Sequence, residues 1–290
     1  MPRDLADVLH YFMPEIDADA PSPEASVAVD APTDPVGAPP PRVRDRFTFA
    51  PPDPVSVAPE SPPLSILGLP IGDRDVVRAA LAWNLSVETA RLGDAALLLA
   101  PASTADSPLW PEAGPGPLGT ELVLSAATGL ADLEIHATEL AKSHAAKTRG
   151  RGIVFVRVPP AWIASERAST QAIHWWLLLS SANRRELRHA VDVAERLHAA
   201  DPDVQIGATI HGVSSISEAS SAFEHLARLS REGFGGALRS YGLLVDDLHV
   251  YRAIAAQRPI GLAHPQAPAT RALMDVARLL AEDTRSRAIG

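Results

Sequence analysis

The sequence predicts an α/β fold, a mostly parallel, doubly wound sheet preceded by a Pro-rich N-terminal tail. Three observations carry this. From Leu64 onward, continuous apolar segments interleave with segments of helical periodicity, the pattern of a parallel sheet covered on both faces. The first such pair, LSILGLPIGDRDVVRAALAWNLS (residues 64–86), reads as strand, glycine turn, helix, a scaffold that can cradle phosphates on backbone N–H groups. Residues 1–63 hold 15 of the chain's 27 prolines, a density that opposes regular helix and sheet.

The chain therefore divides into a tail, 1–63, and one α/β domain, 64–290. Between Pro2 and Pro41 the tail carries eight acidic residues and one basic residue, Arg3, a composition expected to stay disordered. One stretch, DLADVLHYFMPE, departs from this. Leu5, Val8, Leu9, Phe12 and Met13 fall on one face of a short helix over 4–13, with Asp4 as N-cap and Pro14 as stop. So short a helix cannot bury its own apolar stripe, so it is expected to dock on a protein partner or on the domain. Its acidic flanks argue against membrane adsorption.

Within the domain, apolar runs predict strands over Leu64–Leu69, Ala95–Ala100, Glu121–Ser125, Gly152–Val158, His174–Ser180, Val204–His211 and Tyr241–Val245. Apolar residues three and four apart predict helices over Arg74–Arg91, Asp132–Ala146, Arg184–Ala200, Ser217–Arg231, near Leu248–Ala256, and over Ala267–Glu282. Strand alternation sends Trp175 and Trp176 to opposite faces, both expected in the core. Ser215 or Ser217 is placed to cap the helix that follows.

Composition narrows the function classes. There is no cysteine, which excludes disulfides and thiolate metal sites. The ten histidines show no H-E-x-x-H or comparable ligand spacing, so no metal or cofactor is expected. The net charge of −9 argues against nucleic-acid binding through the bulk surface. No apolar run approaches a membrane span and no signal peptide opens the chain, so a cytoplasmic location without stable membrane attachment is expected.

In a doubly wound sheet, ligands bind beyond the carboxyl ends of the strands, where the turn from Pro70 to Asp73 lies. A phosphate turn normally supplies a lysine and then Ser or Thr for magnesium; here Asp73 and Arg74 follow Gly72. The chain has two lysines, Lys142 and Lys147, both far from this turn in sequence.

The segments HWWLLLSSANRRELRHAVDVAERLHAADPDVQIGATIHGVSS and YGLLVDDLHVYRAIAAQRPIGLAHPQAPATRALMDVARLL resemble the C-terminal third of the MinD/ParA class of P-loop ATPases, and most the branch of the flagellar-number regulator FlhG. The resemblance runs from Leu64 to Leu280 and implies a P-loop NTPase fold. It also implies three functional places, and each departs here. Laid on the loop pattern K-G-G-x-G-K-[ST], the dimer-crossing lysine falls on Gly68, a glycine on Pro70, the second lysine on Asp73 and the hydroxyl on Arg74. At the strand end that carries an acid in the family stand Arg157 and Val158, and the acid expected after the second strand is missing until Asp106. His211 occupies the place of the base-reading Asn. A carboxylate at Asp73 would repel bound phosphate by about 1 kcal/mol in water and more in a cleft.

The expected function is thus a non-catalytic, regulatory or scaffolding relative that binds proteins through its domain surface and the Leu5–Met13 helix, in positioning a cellular apparatus such as the flagellum. A heterodimer with an active relative is compatible with it. Trp110 and Trp162, in Pro-rich loops, are candidates to fill a vacated cleft. Two rivals stand beside this reading: a divergent ATPase with Arg74 or Arg157 as surrogate charges, and a structural module tethered by its tail.

Overall fold

The computed structural model describes residues 63–104, 111–148, 150–165 and 172–289. The chain divides between Pro59 and Glu60, and every strand and helix described belongs to the second part. The helix expected over 4–13, Asp106 and Trp110 lie outside the described residues.

An eight-stranded sheet organises the domain: β1 (Ser65–Pro70), β2 (Ala95–Pro101), β3 (Gly114–Pro115), β4 (Glu121–Ser125), β5 (Gly152–Val158), β6 (Trp175–Ser181), β7 (Gln205–Val213) and β8 (Arg239–Val245). Their order across the sheet is β3-β4-β2-β5-β1-β6-β7-β8. All neighbours are parallel except β3, which runs antiparallel to β4. The helices are α1 (Val76–Arg91), α2 (Leu130–Thr148), α3 (Pro160–Ser165), α4 (Arg184–Ala200), α5 (Ile216–Phe234), α6 (Leu248–Ala255), α7 (Ile260–Ala263) and α8 (Pro268–Ile289).

Two apolar layers sandwich the sheet. One is built from α1, α6 and α8 against Leu67, Leu69, Phe155 and Trp175. The other is built from α2, α4 and α5 against Val154, Val156, Trp176 and Leu178. Trp175 and Trp176 are both buried, one in each layer, as strand alternation requires. The central helix α1 is covered nearly all round, so Asn84, Ser86 and Thr89 turn their polar atoms back to its own carbonyls. Asn84 also accepts from the Ile260 backbone N–H at 2.7 Å, tying α1 to α7.

Several boundaries shift from the sequence expectation, each for a local reason. β1 continues through Pro70 because Pro70 still pairs with Val158 of β5. α1 begins two residues later than expected because Asp75 is its N-cap, its carboxylate accepting from the Arg78 N–H at 3.0 Å. α5 starts at Ile216 under the Ser215 cap. α8 runs on to Ile289, anchored where Asp283 accepts a hydrogen bond from Tyr241. The two-residue β3 and the short α3 and α7 have no period long enough to read from sequence.

Candidate functional site

β1 is central, and its carboxyl end opens into a five-residue turn, 71–75, before α1. The turn is pinned on both sides. Ile71 N–H donates to the Val158 carbonyl at 3.0 Å, and Asp75 N–H to the Gly72 carbonyl at 3.1 Å. Gly72 O also accepts from the Arg157 guanidinium. Arg157 sits at the end of β5 and is 1% exposed. Burial pushes its guanidinium below the ordinary arginine value, while Asp73 and Asp75 hold it partly back up.

A second arginine closes the mouth. Arg78, in the first turn of α1, reaches Asp75 at 3.3 Å, Glu186 of α4 across the sheet end, and the His211 ring of β7 at 3.2 Å. Arginine only donates, so His211 Nε2 accepts and its proton lies on Nδ1. Burial, reinforced by the Arg78 charge, drives the His211 pKa down to about 4. The ring is neutral near pH 7.

Two guanidinium groups thus meet the carboxylates of Asp73, Asp75 and Glu186. The positive N-terminus of α1 already holds a carboxylate of its own chain. The neighbouring cavities are small: about 20 Å³ beside Arg78 and Glu186, about 30 Å³ beside His211 and Asp247, space for roughly one water each. Among the described residues no group of three or more His, Asp or Glu could hold a metal ion. No described helix is long and apolar enough to cross a membrane.

The structure brings Gly72, Asp73, Arg157 and His211 to one mouth and corrects other placements. Gly68 lies in β1, within the strand expected over Leu64–Leu69, whereas Pro70, expected in the turn, still belongs to that strand. A Cβ on Gly68 would lie 2.4 Å from the Trp176 ring, so no side chain could rise from there toward a partner. Arg74 is exposed on the turn, whereas the inward cation is Arg78. Val158 is buried beside Pro70, and Trp162 packs against the α2–α4–α5 layer. Cations do stand at the mouth of the first strand: Arg78 is paired with Asp75 and Glu186, and Arg157 donates to the Gly72 carbonyl. Sequence reading misses Asp75 and Glu186. The D-x-x-R spacing of Asp75 and Arg78 is a local signal for the first, while Glu186, 108 residues from Arg78, leaves none.

No family model matches the sequence, and no curated protein matches it. Solved structures do. MinD from the MinC:MinD complex of Aquifex aeolicus superposes with a TM-score of 0.55 at 14% identity, covering 74% of this chain and 95% of that one. The chain has the MinD/ParA-type P-loop NTPase fold. MinD of Aquifex aeolicus on its own gives 0.53 at 15% identity over 74% of this chain and 96% of that one. Apo McdA from Cyanothece gives 0.52 at 12% identity over 78% and 100%. In the MinD-type fold, the compensated mouth around Arg78 stands where the first strand passes into the first helix.

Proposed function

We propose that this is a non-catalytic MinD/ParA-type protein, of the FlhG-like branch, that regulates or scaffolds a cellular apparatus by binding other proteins in the cytoplasm. One observation carries the reading: the N-terminus of α1 is capped by Asp75 while Arg78 is shared among Asp75, Glu186 and His211. An incoming triphosphate would have to displace carboxylates from charge-assisted bonds worth about 1.5–3 kcal/mol each, and would approach Asp73. The structural neighbour MinD was solved in a complex with MinC, which supports a protein-docking role for such a domain. The Leu5–Met13 segment supplies a second contact in this proposal, and an active relative is a candidate partner. Flagellar placement is the specific form of the proposal that the FlhG-like segments suggest.

The test is to titrate ATP and ADP, with and without magnesium, into the purified protein while following thermal unfolding. A ligand at a hundred times its dissociation constant adds about 2.7 kcal/mol. The expected outcome is no shift. A saturable, magnesium-dependent rise in melting temperature would show residual nucleotide binding; phosphate release from ATP that is abolished by changing Arg74 would overturn the reading and favour the divergent ATPase.

A further inference from the structure

α4 and α5 pack side by side, and their facing surfaces leave an open groove of about 640 Å³. Its floor is apolar, with Leu187 and Ala222 buried in the core layer. Its rim is cationic: Arg184 and Arg188 on α4, Arg228 on α5. Arg228 donates to His225 Nδ1 at 2.6 Å and has Glu232 at 4.0 Å. The one carboxylate that lines the groove, Glu218, already accepts from the Ser214 N–H and hydroxyl at 2.9 and 2.8 Å.

This concentration of positive charge breaks the local rules in a protein of net charge −9. Arg184 and Arg188 are four apart in the first turns of α4, where like charges repel and the helix end disfavours cations. Among the described residues neither forms an ion pair. The cost is modest, and an anionic occupant would reverse its sign.

The shape selects the occupant. The groove follows α5 from Glu218 to Arg228, about 15 Å at 1.5 Å per residue. That is the span of two to three turns of helix. A small phosphate needs convergent, desolvated donors to bind well, and the Arg228 side chain is 60% exposed. Several solvated guanidiniums spread along an apolar floor suit instead a ligand with many acids and one apolar stripe.

We propose that the α4–α5 groove docks an acidic amphipathic helix of a partner protein, its apolar stripe on Leu187 and Ala222 and its carboxylates on Arg184, Arg188 and Arg228. This rests on the reading of the domain as a protein-binding module, but its test is separate from nucleotide titration.

The experiment uses the full chain and fluorescence anisotropy. The probes are labelled peptides of about 14 residues with Leu at helical spacing and Glu elsewhere, a twin with Lys for Glu, and a Glu peptide with its leucines dispersed. The Glu peptide is expected to bind, and more weakly as salt rises. R184E/R188E should weaken it about tenfold or more and bind the Lys twin instead, with a melting temperature no lower than wild type. R188Q, which removes charge without reversing it, should fall between. Failure of the Glu peptide to bind, equal binding by R184E/R188E, or equal binding of the dispersed peptide overturns the proposal. So does displacement of the peptide by stoichiometric pyrophosphate or single-stranded DNA. ATP hydrolysis alongside intact peptide binding would sink the non-catalytic reading and leave the groove standing.

Discussion

Arg78 Nε donates to His211 Nε2 at 3.2 Å, joining the first turn of α1 to the end of β7 across the mouth of β1. The bond holds only while His211 is neutral. The two residues are 133 apart in sequence, and the strand order places them together: β7 is separated from β1 by β6 alone.

A pH dependence follows from the burial of His211, reinforced by the Arg78 charge beside it. The unfolded histidine titrates near 6.5 and the folded one near 4. Between these values the unfolded state binds more protons, so stability is full above about pH 6.5 and is lost as pH falls toward 4. The loss should be on the order of 2 kcal/mol after allowance for solvent. His211→Asn, which does not titrate, should flatten this part of the profile relative to wild type in urea unfolding from pH 7 to 4. Parallel profiles would refute the assignment.

Asp75 caps α1 with its own carboxylate. Asp75→Ala should cost about 1 kcal/mol as the cap is lost, and it also frees one face of Arg78. Inorganic phosphate should then restore part of the lost stability in Asp75→Ala while leaving wild type unmoved. Equal stabilisation of both proteins would mean that the Asp75 carboxylate does not occupy an anion position.

Arg157 is the buried cation beneath the turn. Arg157→Met should cost about 2–4 kcal/mol, since it strips Gly72 O of a donor and leaves Asp73 and Asp75 without that charge. Arg157→Lys should recover part of the loss, keeping charge without the planar fork. Chemical denaturation reads both. A neutral Arg157→Met would mean that the turn holds itself.

Much of the fold is legible from the chain because the central strands are apolar runs and α4 and α5 each have a clear apolar face. The mouth is only half legible. Gly72, Asp73, Arg157 and His211 stand near strand ends that sequence can locate. A loop pattern laid without gaps runs back into β1 over Gly68 and Pro70, because Pro70 still pairs with Val158. Glu186 is invisible because its role depends on where α4 is seated, and the register of β6 on β1 sets that, not any local pattern.

Gly68 itself gives the last prediction. It lies in the middle of β1, paired with Val156 on one side and Trp176 on the other. The Trp176 ring lies against it, fully buried and fixed by its own indole N–H donating to the Ile173 carbonyl at 2.8 Å. A methyl on Gly68 would meet three ring carbons at 2.4 to 2.7 Å, and a ring held by its indole nitrogen cannot slide aside. Gly68→Ala should therefore cost about 1–3 kcal/mol by overpacking. Trp176→Leu alone should cost about 2–4 kcal/mol through the cavity it leaves. In the double variant the methyl occupies space the ring has vacated, so the combined loss should fall short of the sum by about 1 kcal/mol or more. Urea unfolding of the four proteins completes the cycle. Strict additivity would show that the strand shifts to admit the methyl, and that the ring does not enforce glycine at this position.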